Sequence, residues 1–100
     1  MATTSKALFR GAASTSSTTL YTVPSATTTV VTEIIVTNTA GSAGTFSITL
    51  DGVSIATTVN VPANDSTVIS LKQVLAATKI IAGSASATTV NFHISGVEIS

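Results

Sequence analysis

The 100-residue chain has no cysteine and no tryptophan, only two prolines, and just eight charged side chains. Without cysteine it can build neither a disulfide framework nor a thiolate metal cluster, so a domain of this size must be stabilised by its own packing or by association. Lys6, Arg10, Lys72 and Lys79 balance Glu33, Asp51, Asp65 and Glu98, for a net charge of zero. Four cations cannot create the positive field that phosphate neutralisation requires, which argues against a nucleic-acid partner. No apolar run exceeds four residues, whereas a bilayer span needs about 20, so no membrane segment is expected. The opening MATTSKALFRGAASTSS carries a basic pair but no continuous apolar stretch, and no secretory signal is expected from it.

What fills the chain instead is hydroxyl: 20 Thr and 14 Ser, alongside a hydrophobic share of 44%. From Thr18 onward Val, Ile and Thr dominate, the β-branched types that suit a pleated surface. The spacing predicts strands over Thr19–Val23, Thr28–Asn38, Phe46–Leu50, Val53–Val61, Thr67–Leu71, Lys79–Gly83 and Thr88–Ile99. In the second of these, Val30, Ile34 and Val36 share one face while Val31, Glu33 and Ile35 share the other, which marks a central strand or one whose second face meets a partner. Asp51-Gly52 predicts a two-residue type I′ hairpin turn. Lys72–Ala77 has helix-friendly composition but room for one turn at most. In the last strand Val90, Phe92 and Ile94 alternate and then resume out of phase at Val97 and Ile99, which predicts a bulge at Ser95-Gly96. The fold class expected is all-β, a single antiparallel β-sandwich of seven to eight strands with Ig-like or jelly-roll topology. Residues 1–17 read as an N-terminal arm and flexible joint, and residues 18–100 as the sandwich domain.

Chemistry-bearing groups are sparse. His93, the only histidine, alternates with Phe92 and Ile94 and so lies opposite them, beside Asn91 and Ser95. It reads as an exposed strand residue in preference to a base or pH switch. Glu33 and Glu98 could approach as a carboxylate pair if their strands are neighbours, but separate surface carboxylates are the simpler reading. Asp51, Asn64 and Asp65 fit turn chemistry better than a calcium site, which gathers six to eight oxygens. None of the serines sits in a nucleophile-elbow pattern, and no phosphate loop or dinucleotide fingerprint is present. No catalytic residue, cofactor or metal is expected.

Eight charges are few for protecting the edges of seven or eight strands, and a net charge of zero favours association. An assembly that covers edges and second faces is therefore expected. Leu8 and Phe9, flanked by Lys6 and Arg10, suit an arm that docks on a neighbour; the alternative is a strand folded back on its own chain.

The stretches Leu20-Tyr21-Thr22-Val23-Pro24 and Val30–Thr39, with Phe46–Gly52 and the ending His93–Ile99, resemble small β-sandwich structural proteins of tailed-bacteriophage virions. The resemblance covers residues 18–99 and rests on pattern and composition. It implies a non-enzymatic role, with capsid decoration (cement) favoured by the single small domain. The implied partners are the major capsid protein or neighbouring virion proteins, with a homo-oligomer, such as a trimer, on the capsid surface. Lys6, Leu8, Phe9 and Arg10 would be the partner-contact arm, and the chain would be made in the host cytoplasm. A tail- or fibre-associated module that binds a receptor or carbohydrate is the alternative, but four aromatics are few for a sugar-stacking platform.

Overall fold

The computed structural model describes residues 2–100, and those residues form eight strands and no helix. The strands are β1 (Thr3–Ala12), β2 (Thr18–Thr22), β3 (Thr28–Asn38), β4 (Gly44–Leu50), β5 (Val53–Val61), β6 (Asp65–Leu75), β7 (Ile80–Ala85) and β8 (Val90–Ile99). Two four-stranded sheets result, ordered β1-β8-β3-β6 and β2-β7-β4-β5. Every pairing is antiparallel. Strand β1 pairs with β8, β2 with β7, β3 with β6 and β4 with β5, so the chain is one long antiparallel ribbon rolled upon itself. That nesting is the jelly roll and resolves the topology that the sequence leaves open.

The core lies between the sheets. Phe46, Ile48 and Leu50 of β4 face inward while Thr45, Ser47 and Thr49 face out, as their alternation predicts. Phe46 meets Phe92 of the opposite sheet edge-to-face, with ring centroids 6.1 Å apart, a geometry favoured by the ring quadrupoles. The Asp51-Gly52 turn has positive φ at both residues (53° and 74°) and pairs Leu50 with Val53, the type I′ geometry expected of it. Asn38 is fully buried at the end of β3. Its amide donates to the carbonyls of Ser42 (2.8 Å) and Val61 (3.2 Å), and its Oδ1 accepts from the Ala40 amide, so it fastens the β3–β4 loop to the end of β5.

Four sequence expectations are corrected. Thr3–Ala12, read as part of an arm, is the edge strand β1, hydrogen-bonded along β8 from Thr3↔Ile99 to Ala12↔Asn91. Lys72–Leu75, read as the start of a helical turn, continues β6 against Thr29, Val30 and Val31; strand pairing overrides a weak local propensity. Strand β8 itself carries no extra residue: Val90, Phe92, Ile94 and Gly96 all face inward in unbroken alternation. The extra residues lie in its neighbours: Leu8 in β1, opposite Ile94-Ser95, and Thr32 in β3, opposite Ser95-Gly96. The Thr32 bulge reverses the phase of β3, so that Val31, Ile34 and Val36 face the core while Val30 and Ile35 face outward.

Edge protection also works differently from the sequence reading. The edge strands are β1 and β6 in one sheet and β2 and β5 in the other. All four lose register with their neighbours: at Leu8, at Leu20, at Thr57-Thr58 and at Leu71-Lys72. Bulges twist an edge away from a flat partner strand. Four of the eight charges, Lys6, Arg10, Asp65 and Lys72, lie on the two edges of the β1-β8-β3-β6 sheet.

Candidate functional site

The residues proposed from sequence as a docking arm divide between core and surface. The β1 bulge turns Leu8 inward, where it is 7% exposed and lies over Gly96: a Cβ on that glycine would stand 2.8 Å from Leu8 Cδ1. Phe9 also packs against the core. Neither ring nor isobutyl group is free to dock on a neighbour while β1 is in place. Arg10 is exposed on the outer face and pairs in register with His93.

Lys6 belongs to a cluster at the open end of the sandwich. Its Nζ lies 3.3 Å from Glu98 Oε2. Glu98 continues the inward phase of β8 and accepts a hydrogen bond from the Tyr21 hydroxyl, which crosses from the other sheet. Tyr21 Oη is also 2.9 Å from the buried Thr29 Oγ1. One carboxylate thus ties together β1, β2, β3 and β8. The hydrogen bond from Tyr21 holds the Glu98 carboxyl below the ordinary glutamate range, helped by Lys6 and opposed by desolvation. Burial, reinforced by the hydrogen bond to Glu98, raises the Tyr21 phenol above its ordinary value. Both shifts favour one state: ionised Glu98 accepting from neutral Tyr21.

Glu33 stays apart from this cluster. It is exposed and pairs with Ser95, while Glu98 pairs with Thr29, so no carboxylate pair forms. Asp51 lies 3.8 Å from Lys79 in an exposed ion pair, a contact of the kind worth about 0–1 kcal/mol. Asp65 Oδ1 accepts from the Ser66 amide, and Asn64 sits at φ 53° with its amide bonded to Ala40 O. That is turn chemistry. Among the described residues no three His, Cys, Asp or Glu side chains gather as a metal site. A shallow depression of about 480 Å³ at the β3–β6 irregularity is lined by Thr32, Ser70, Leu71, Lys72 and Gln73. Lys72 is its one titratable group.

The two outer faces differ in chemistry. The outer face of β4 and β7 presents Thr45, Ser47, Thr49 and Ser84, with Ile80 and Ala82. The outer face of the β1-β8-β3-β6 sheet carries two cross-strand aliphatic rows. Val97, Val30 and Val74 stand side by side in register, and so do Ile35 and Val68, next to His93 and Arg10. Val74 is 66% exposed and Val68 56%. Sheets with one solvated face ordinarily place polar residues there, and the hydroxyl-bearing face follows that rule while this one does not. The sequence held a signal for it in the two-sided apolar character of Thr28–Asn38, although the bulge changes which residues face outward. No protein-family model matches the chain, and no characterised protein matches it in sequence.

Proposed function

We propose that the protein is a non-enzymatic structural component of a phage virion, a decoration protein that binds and stabilises the lattice of the major capsid protein. The observation that carries this reading is a rigid eight-stranded jelly roll that leaves a row of aliphatic side chains exposed across one sheet. Jelly rolls recur in viral capsids and in lectins. The placement of the aromatics favours the first of these settings. Phe46 and Phe92 are buried, Phe9 packs on the core, and the Tyr21 hydroxyl is engaged by Glu98 and Thr29, which leaves no free ring for sugar stacking. Chemistry by titratable side chains needs such groups to converge in a cleft, and the depression beside the β3 bulge brings only Lys72.

With Leu8 and Phe9 committed to the chain's own core, the contacts to the capsid come from the folded body, its outer faces and loops. Each contact is small, and many copies on a closed lattice add through multivalency. The test is co-sedimentation of the purified protein with capsid shells that lack it. Saturable binding at a simple fraction of the capsid subunits is the expected result, and failure to bind at any concentration would overturn the reading.

A further inference from the structure

We infer that the outer face of the β1-β8-β3-β6 sheet is a self-association surface, covered in solution by the same face of a second copy of this chain. The inference uses the same exposed face that carries the capsid reading: with a second copy seated there, the capsid contacts come from the other sheet's outer face and from the loops.

Six aliphatic side chains define the face: Val30, Ile35, Val68, Val74, Val97 and Ile99. Their common orientation follows from the register. Val30 pairs with both Val97 and Val74, Ile35 pairs with Val68, and Ile99 lies two residues beyond Val97 on the same side of β8. The charges lie at the margins and along the bulge: Arg10 on the edge strand β1, Lys72 on the edge strand β6, and Glu33 beside the β3 bulge. The two aliphatic rows, separated by Glu33, Ser95 and Ser70 in register, leave apolar surface in water of the kind that marks an interaction site.

Three observations favour a second copy as occupant. Edge-to-edge association is disfavoured, because β1 and β6, the two edges of this sheet, both carry register breaks and charge. Face-to-face packing remains, with sheets about 10 Å apart. The area is sufficient: four strands at about 4.8 Å spacing and roughly ten residues of about 3.3 Å each present about 600 Å². Two such faces bury on the order of 1,200 Å², the lower bound of stable interfaces. Charge on the face is of both signs, with Arg10 and Lys72 on the edge strands and Glu33 on β3 between the aliphatic rows, so a second copy can set cations against carboxylates. The net charge is zero, and an apolar row meeting its own symmetry mate across a two-fold axis needs no complementary partner.

Sedimentation equilibrium of the full chain tests this, together with Val68→Lys and Val74→Lys, singly and combined. Both positions are exposed, so the fold tolerates the change, and circular dichroism with a melting curve verifies it. Val53→Lys, equally exposed but on β5 of the other sheet, is the control. The expected result is a dimer that the double variant converts to monomer, with its dissociation constant raised at least 100-fold, while Val53→Lys leaves it unchanged. A wild-type monomer at about 1 mM would overturn the inference, as would an oligomer that survives the double variant. A monomeric protein whose capsid binding is lost in Val68→Lys/Val74→Lys would assign the face to the capsid instead and leave the capsid reading standing.

Discussion

Gly96 is the position where one added methyl group tests the packing of three strands at once. A Cβ there would stand 2.5 Å from Val30 O and 2.8 Å from Leu8 Cδ1. The leucine end can swing away, but the carbonyl belongs to the paired backbone of central strand β3 and cannot. Reaching even the tightest contacts that Cβ atoms make, about 3.0–3.4 Å, requires the β3 and β8 backbones to separate locally by roughly 0.5–0.9 Å, which lengthens ladder hydrogen bonds. Overpacking of this kind costs about 1–3 kcal/mol, against a gain of about 0.4–1 kcal/mol from stiffening the unfolded chain. A net loss of about 1.3 kcal/mol in a domain of this size lowers the melting temperature by about 5–10 °C. Gly96→Ala should therefore melt that much earlier in calorimetry. The double variant Gly96→Ala/Leu8→Ala separates the two contacts. Leu8→Ala alone should cost about 2–5 kcal/mol, and because the carbonyl is the closer obstacle the two losses should nearly add. A Gly96→Ala protein as stable as wild type would refute the described spacing of β8 and β3. Full suppression of its cost in the Leu8→Ala background would show that the side chain, not the backbone, is the obstacle.

Other consequences follow from the same geometry. Removing the Tyr21 hydroxyl in Tyr21→Phe leaves Glu98 without its main hydrogen-bond donor, and denaturant titration should show a loss of about 1–3 kcal/mol. The wild-type pH profile should have two shoulders. The depressed Glu98 contributes stability that is present above the ordinary glutamate value of about 4.3 and is lost as pH falls through its folded value. The raised Tyr21 contributes stability that is present below about 10 and is lost as pH climbs through its folded value. Tyr21→Phe should flatten the alkaline shoulder, and an unchanged alkaline limb would contradict the linkage. Asn38→Ala strands the buried Val61 carbonyl and leaves the half-buried Ala40 amide without its acceptor, so urea unfolding should register a loss of about 1–3 kcal/mol. Thr58 is a β-branched residue at φ 48° in the β5 bulge. Thr58→Asn, better suited to that conformation, should raise stability by about 1 kcal/mol, and a lower melting temperature would reject that account of the strain.

The strands and their turns were legible where period-two alternation ran uninterrupted. Phe46-Ile48-Leu50 and the Asp51-Gly52 turn required nothing beyond local chemistry. Bulges hid the rest, because one extra residue reverses every later inward-or-outward assignment. In β3 the reversal at Thr32 moved Val30 from the expected core to the surface and brought Val31 inside. In β1 the extra residue let the consecutive pair Leu8-Phe9 both face inward, so an apolar pair that breaks alternation looked like a docking arm. Small residues after the pair, Gly11 and Ala13, in fact continue its inward phase. Glu98 was legible in principle. Extending the alternation of Phe92, Ile94 and Gly96 without a shift places it inside, and only the expectation of a bulge in β8 concealed its contact with Tyr21.

The proposed place in a virion is tested by the copy number of this chain in purified particles from the source that encodes it. Quantitative mass spectrometry against the major capsid protein supplies it. One copy per capsid subunit, or a simple lattice fraction of that number, is the expected result. A handful of copies per particle would move the chain to the tail, and its absence from virions would rule out a decoration protein.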